Sequence, residues 1–377
     1  LATAPRSFDL FCRVIDNYGD IGVCWRLARQ LAQPPFSAKV RLWVDDLARC
    51  HALVPAVRAD QPQQQCDGVN IYHWYIKNTS ITPAEVVIEA FGCDPPADFV
   101  RAMTPETLWI NLEYLSAEAW VEGCHALPSP QVRGLTKWFF FPGFSTKTGG
   151  LLREADLFAR RDAWQADQQA HPALWQSLRL PEPAVQALEQ GARQIFLFCY
   201  PHAPVAALLQ GLMMARTPAV VLASPGAVTA AHKTLVQGSC VQLCEIAFVA
   251  QAQFDALLWG SDLNCVRGED SMVRALWAGR PLLWHIYPQQ EDAHVNKLEA
   301  WLAHAPYPAS VTKLIQRWNA DTACDADQVA RLLSDNLAPA AWTQWENAAH
   351  HWCQTLAQRT DLASALTAFC ASKQQNR

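Results

Sequence analysis

The chain carries no surplus of positive charge. Its 30 Lys and Arg stand against 35 Asp and Glu, a formal net charge of −5 over 377 residues. That balance leaves no basic footprint for nucleic acid, so a partner is expected to be neutral or mildly basic. Long apolar runs are also missing. None approaches the roughly 18 residues of a membrane span, and Leu1-Ala-Thr-Ala-Pro does not read as a signal peptide. The absent initiator Met suggests a trimmed start. The 13 cysteines are odd in number and lack a zinc spacing, since Cys240 and Cys244 have no second pair. Free, mostly buried thiols in a reducing cytoplasm are the expectation. Internal repeats and low-complexity tracts are absent as well.

What remains is a chain that is 51% apolar, with 16 tryptophans scattered along it. Its length suits two domains, each with its own core. Short apolar strands alternate with helical patterns throughout, which predicts an α/β fold with parallel sheets. Strands are expected at Phe8–Ile15, Lys39–Val44, Val69–Trp74, Val86–Phe91 and Leu108–Asn111. A second series begins at Gln194 and continues at Ala219–Ala223, Val241–Val249, Asp262–Val266 and Pro281–Ile286. Several are continuously apolar, as strands covered on both faces should be. Residues 151–192 are polar and helical and read as a linker region. Residues 1–150 then form one Rossmann-like domain and 193–339 a second. The helical tail, 340–377, carries Trp342, Trp345 and Trp352 and is expected to pack back toward the first domain. Two such halves place ligands at the carboxyl ends of the sheets, in a cleft between them.

In the second half the informative stretch is Asp262–Trp301. A strand ends at Arg267-Gly268, and Glu269, Asp270 and Ser271 can cap the helix that follows. Gly279 ends that helix, and Pro281 starts the next strand. Free N–H groups and a positive dipole make such a helix start a natural diphosphate site. Arg267 adds charge there and Ser271 a donor, whereas the acids must turn away or serve hydroxyls and cations. An ordinary capped helix fits the same residues. Phe248 and Gln251 sit where a strand gives way to a helix; an aromatic face can stack a base and an amide can pair with its edge. Simple packing is the other reading of Phe248. The order of elements, with Pro288 and Asn296 after the last strand, resembles the nucleotide-sugar half of GT-B glycosyltransferases.

In the first half, Asp16-Asn17-Tyr18-Gly19-Asp20 follows a strand and precedes a helix through Trp25 and Leu31. Gly19 and Gly22 argue for a loop here. Asp20 is open to an N-cap role; Asp16 stands at a strand end on the ligand face. Two carboxylates are poor neighbours for a phosphate, but they suit a cation. In an inverting sugar transfer, a carboxylate positions or deprotonates the acceptor. Two carboxylates can also hold a divalent ion. The only adjacent aspartates, Asp45 and Asp46, look like a strand end, so no metal site is expected.

Three motifs, "DNYGDIGVCWRLARQLA", "WINLEYLSAEAWVE" and "RGEDSMVRALWAGRPLLWHIYPQ", resemble EarP, the protein-arginine rhamnosyltransferase family of bacterial elongation factor P. The resemblance spans both halves. It implies a GT-B fold, two Rossmann-like domains facing each other across a cleft. It also implies a cytoplasmic inverting enzyme with dTDP-β-L-rhamnose as donor and one arginine of elongation factor P as acceptor. Neither a cofactor nor a membrane is involved, and the modified factor helps ribosomes stalled at polyproline. By motif, Asp16, Asp20 and Glu269 are the expected catalytic residues. Phe248 and Gln251 would hold the thymine. Tyr200, Arg267, Asp270 and Ser271 would line the diphosphate and ribose, with Tyr287 near the same ligand and Asn17 and Gly19 on the donor side of the opening loop. The alternatives are a GT-B transferase with a small-molecule or lipid-linked acceptor, and a nucleotide-sugar-binding protein without catalysis.

Overall fold

The computed structural model describes residues 4–15, 18–75, 81–289, 293–320 and 326–375. The chain forms two compact units. One comprises Leu1–Ala155 with Ala357–Arg377, the other Asp156–Leu356.

The first unit runs β1 (Ser7–Cys12), α1 (Gly19–Ala32), β2 (Lys39–Val44), α2 (Leu47–Leu53), β3 (Gln63–Cys66), β4 (Val69–His73), β5 (Val86–Ala90), α3 (Ala97–Ala102), β6 (Leu108–Leu112), α4 (Trp120–Cys124), β7 (Pro128–Pro130) and β8 (Thr136–Phe140). Its sheet has the order β3-β4-β2-β1-β5-β6-β8-β7, parallel except for β3 and β7 at the two edges. Alternation along β1 sorts the core. Phe8, Leu10 and Cys12 join the layer under α1, and Phe11 turns to the opposite face with Trp43, Trp74, Phe99 and Trp109. Asp9 is fully buried on that second face, where Arg41 binds both its oxygens at 2.6 Å and Trp43 Nε1 and the Ala84 N–H donate to it.

Strand β1 stops three residues earlier than its apolar pattern implies. Past Cys12 the backbone donors go to side chains: Val14 N–H to Asp45 Oδ1 and Ile15 N–H to Asp20 Oδ2, each at 2.9 Å. The helix, in turn, starts at Gly19 rather than near Trp25, so Gly19 and Gly22 are helical and not in a loop. Gly22 N–H donates to Tyr18 O in the regular helical manner. Ile21, Cys24, Trp25, Ala28 and Leu31 recur at helical spacing and are all buried. Burying them outweighs the roughly 1 kcal/mol that each glycine costs in a helix.

The second unit opens with α5 (Leu157–Ala166), α6 (Ala170–Ser177) and α7 (Glu182–Glu189). It continues through β9 (Arg193–Leu197), α8 (Val205–Met214), β10 (Ala219–Ala223), α9 (Ala230–Leu235), β11 (Val241–Glu245), α10 (Gln251–Gly260), β12 (Leu263–Arg267), α11 (Glu269–Ala278) and β13 (Leu282–His285). It ends with α12 (Ala293–His304), α13 (Ala309–Trp318), α14 (Ala326–Asn336) and α15 (Pro339–Ala357). The sheet is wholly parallel, in the order β11-β10-β9-β12-β13. Helices α10 and α11 are tied by Arg274, which donates to both oxygens of Asp255 at 2.9 and 2.6 Å with both side chains buried. Gly211 on α8 permits close approach of α14, since a Cβ there would lie 2.8 Å from Ala330 O. The last helix, α16 (Leu362–Gln375), returns to the first unit, burying Leu362, Ala363, Leu366 and Cys370 in the layer beside α1. Every described cysteine is a free thiol. Among the described residues no helix is long and apolar enough to cross a membrane.

Candidate active site

Each sheet has one place where successive strands reverse their direction of growth. Loops leaving the two strands there diverge and open a crevice at the carboxyl edge. In the first unit that place lies between β1 and β5, and in the second between β9 and β12.

At the first edge Asp20, the second residue of α1, is 3% exposed. The helix is capped by Tyr18 backbone, so Asp20 is not its N-cap; its Oδ2 holds Ile15 N–H. Tyr114, just past β6, extends its hydroxyl to 3.5 Å from Asp20 Oδ1. The Tyr114 ring stacks on Phe91 at 4.4 Å and 17°. Phe91 leaves β5 with φ +59°, a conformation that side-chain-bearing residues seldom take. Asn111 braces this turn: its Oδ1 accepts Gly92 N–H at 3.1 Å and its Nδ2 donates to Glu113 Oε1 at 2.5 Å. Burial raises the Glu113 carboxyl above its ordinary range. Beneath it lies Glu89, fully buried, bound by Lys137 Nζ at 2.6 Å and Trp109 Nε1 at 3.1 Å. Carboxylates beside an aromatic face make this edge suited to a cation. Asp16 and Asn17 lie outside the described residues.

At the second edge Gly268 caps α11 with φ +65° and ψ −175°, a backbone conformation essentially confined to glycine. It offers no side chain to the first turn, so the helix presents its backbone donors and positive dipole end. Glu269, Asp270 and Ser271 occupy the first three helical positions and do not cap the helix. Glu269 is ion-paired with Lys297 of α12. Arg267, the last residue of β12, lies over Phe198 at 4.6 Å and over Tyr200 at 4.9 Å. Tyr200 is buried and meets Tyr287 edge-on at 5.5 Å. Its N–H donates to Nδ1 of His285, which pairs in register with Arg267 across β12 and β13. Burial, with His202 and Arg267 nearby, pushes the His285 imidazole down to about 3, so the ring is neutral at ordinary pH.

Tyr200, Arg267 and Tyr287 therefore cluster, next to the start of α11. Phe248 and Gln251 lie in the connection from β11 to β12, Gln251 as the first residue of α10, whose Asp255 is bonded to Arg274 of α11. Phe248 is 44% exposed, which favours a stacking face over core packing, whereas Gln251 is buried as the first residue of α10. Among the described residues no group of three or more His, Cys, Asp or Glu side chains is placed to hold a metal ion. Phe91, Glu113, Tyr114, His202, His285 and Lys297 escape sequence reasoning. For two of them a signal exists: Glu113 is a polar residue directly after an apolar strand, and His285 closes another.

The profile of the family described as Elongation-Factor P (EF-P) rhamnosyltransferase EarP matches residues 8–371. The chain belongs to the EarP family. Curated relatives named protein-arginine rhamnosyltransferase are similar over most or all of the chain. A protein-arginine rhamnosyltransferase of Pseudomonas putida is 45% identical over 383 residues, covering 96% of this chain and 98% of its own. One of Neisseria meningitidis is 36% identical over 401 residues, with 100% of both chains covered. A solved structure described as the structural basis for EarP-mediated arginine glycosylation of translation elongation factor EF-P matches with a TM-score of 0.63 and 32% identity, over 96% of this chain and 98% of that one. Phytolacca americana UGT2, complexed with UDP-2fluoro-glucose and pterostilbene, matches at 11% identity with a TM-score of 0.53, over 99% and 100% of the two chains, and shows the fold alone. This EarP chain is thus a glycosyltransferase with the GT-B fold, built from two Rossmann-like units.

Proposed function

We propose that this chain transfers L-rhamnose from dTDP-β-L-rhamnose to one arginine guanidinium of elongation factor P, with inversion at the anomeric carbon. The observation that carries the reading is Asp20, a buried carboxylate fixed by Ile15 N–H at the strand-reversal point of the first unit.

A guanidinium is protonated at neutral pH, with a pKa above 12. Removing its proton outright at pH 7 costs roughly 7–9 kcal/mol, which one ordinary carboxylate cannot supply as an equilibrium base. Carboxylates around the guanidinium localise its charge and take the proton while the new bond forms. In this reaction an arginine nitrogen attacks the anomeric carbon. The bond from that carbon to the diphosphate oxygen breaks, and its electron pair leaves with dTDP. The nitrogen's proton passes to Asp20. Asp16 orients the guanidinium, and Glu269 either shares that task or braces the rhamnose. Phe248 and Gln251 hold the thymine, Tyr200, Asp270 and Ser271 line the diphosphate and ribose, and Tyr287 lies beside them. Arg267 and the start of α11 supply the positive potential that the leaving diphosphate needs. Asn17 and Gly19 border the sugar.

Intact-mass analysis of elongation factor P after incubation with this protein and dTDP-rhamnose tests the reading. One deoxyhexose added to a single arginine is expected. Donor hydrolysis without any gain on the factor would assign the chain another acceptor, and donor binding without turnover would make it a binding protein.

A further inference from the structure

His202 lies two residues past Tyr200, on the loop between β9 and α8, and is exposed. Its ring is nonetheless docked against the carboxyl edge of the sheet. It runs parallel to the Tyr200 ring, at 6° with centroids 5.9 Å apart, and lies 4.6 Å from the ring of His285. The two imidazoles differ in kind. His285 is 3% exposed, and its Nδ1 accepts Tyr200 N–H at 3.3 Å, so its one proton sits on Nε2. Its pKa, pushed down to about 3 by burial, leaves it uncharged across the range in which an ordinary imidazole titrates. His285 is thus a neutral seat for the His202 ring.

Among the described residues, the groups on and around the rings that His202 packs against are phenolic, neutral or cationic. Tyr200 lies on its own loop, and Tyr287 packs on Tyr200 from beyond β13. His285 ends β13, and Arg267 ends β12 with its guanidinium over the same Tyr200 ring. Among the described residues the acids next to Arg267 in sequence, Glu269 and Asp270, belong to the first turn of α11, and Glu269 is paired with Lys297. Helix α8 follows directly, with Pro204 at its N-cap and no side-chain cap, so its positive dipole end faces the same loop. Arg267, a permanent cation, and the His202 imidazole pack on the same Tyr200 ring, on the loop that leads into an uncapped helix start. That set fits an anion with more than one negative charge.

We propose that His202, when protonated, binds the diphosphate of the nucleotide-sugar donor beside Arg267, so that donor capture tightens as pH falls. This rests on the donor-site reading above and adds a residue and a pH dependence to it. The diphosphate of dTDP-rhamnose is esterified at both ends and keeps its charge across this range, so a pH slope in its binding belongs to the protein.

Calorimetric titration of the full chain with dTDP-β-L-rhamnose, between about pH 6 and pH 8, tests it. Wild-type affinity should fall several-fold across that range, as expected when uptake of one proton is linked to binding. His202→Gln should bind several-fold more weakly than wild type at the acid end and show little slope. His202→Lys should bind tightly with no slope. In turnover assays both variants should change the donor KM more than kcat. A wild-type slope that persists in His202→Gln, or full affinity of that variant at the acid end, would overturn the role of His202 and leave the donor site standing. If the wild-type chain bound no donor at all, the donor-site reading and this inference would both be lost.

Discussion

Lys297 of α12 is ion-paired with Glu269, the first residue of α11, and both side chains are largely shielded from solvent. The carboxylate is therefore stabilised twice, by a cation and by the helix dipole, and adds little net repulsion beside a diphosphate. Replacing Lys297 by Met leaves that charge uncompensated. Donor affinity should fall about tenfold, or ~1.4 kcal/mol, with kcat less affected. Parallel titrations with dTDP-rhamnose and steady-state kinetics check this. Glu269→Gln should show the opposite pattern, a loss mainly in kcat, if Glu269 acts on the reacting groups.

Asp20 is assigned the proton transfer. Asn at this position keeps an oxygen for Ile15 N–H and so preserves the local fold. Asp20→Asn should lower kcat by about 10²–10⁴-fold while donor affinity stays at the wild-type level. Tyr114→Phe removes the hydroxyl 3.5 Å from Asp20 Oδ1 and should lose far less activity. Quantitative mass spectrometry of the acceptor over time, with donor binding measured separately, distinguishes base loss from misfolding.

His285 links stability to pH. Its folded pKa, about 3, lies below that of an exposed imidazole, near 6.5. Between these values the unfolded chain binds the extra proton, so the stabilisation is fully present above about pH 6.5 and is lost as pH falls toward 3. The contribution of this one group is ~1.4 kcal/mol per pH unit within that window. His125, His171 and His232 are lowered in the same direction. The part owed to His285 is therefore read as the difference in urea-denaturation slope between wild type and His285→Asn. That variant should lose less stability on acidification.

Asp255 and Arg274 form a buried pair with two hydrogen bonds. Asp255→Ala removes the carboxylate that binds the buried Arg274 guanidinium and should cost about 3–5 kcal/mol. The double variant Asp255→Leu, Arg274→Met should recover most of that loss. Urea midpoints of the three proteins test the prediction.

The parallel strands are legible in the sequence because each is a short apolar run bounded by polar residues. Ala219–Ala223 and Lys39–Val44 match the structure end to end. The edge strands are not legible. Gln63–Cys66 is polar and Pro128–Pro130 is bracketed by prolines, so both depend on a neighbour for their conformation. The start of α1 is hidden by its glycines, since packing of Ile21, Cys24 and Trp25 overrides local propensity. At the donor edge, Arg267, Gly268 and Glu269 are visible as a strand end meeting a helix start. Tyr200 carries no local signal and depends on the family resemblance. Phe91, Tyr114 and His202 are legible only once the strand order is known, because their meaning comes from which loops the reversal points bring together.

The return of α16 to the first unit sets an order of events during synthesis. Leu362, Ala363, Leu366 and Cys370 fill part of the layer beside α1. All of Asp156–Leu356 is made in between, which at about 5–20 residues per second takes on the order of 10–40 s. Over that interval the nascent first unit has one flank of its sheet uncovered. Its apolar surface is then a candidate client for chaperones until α16 is made and closes that core.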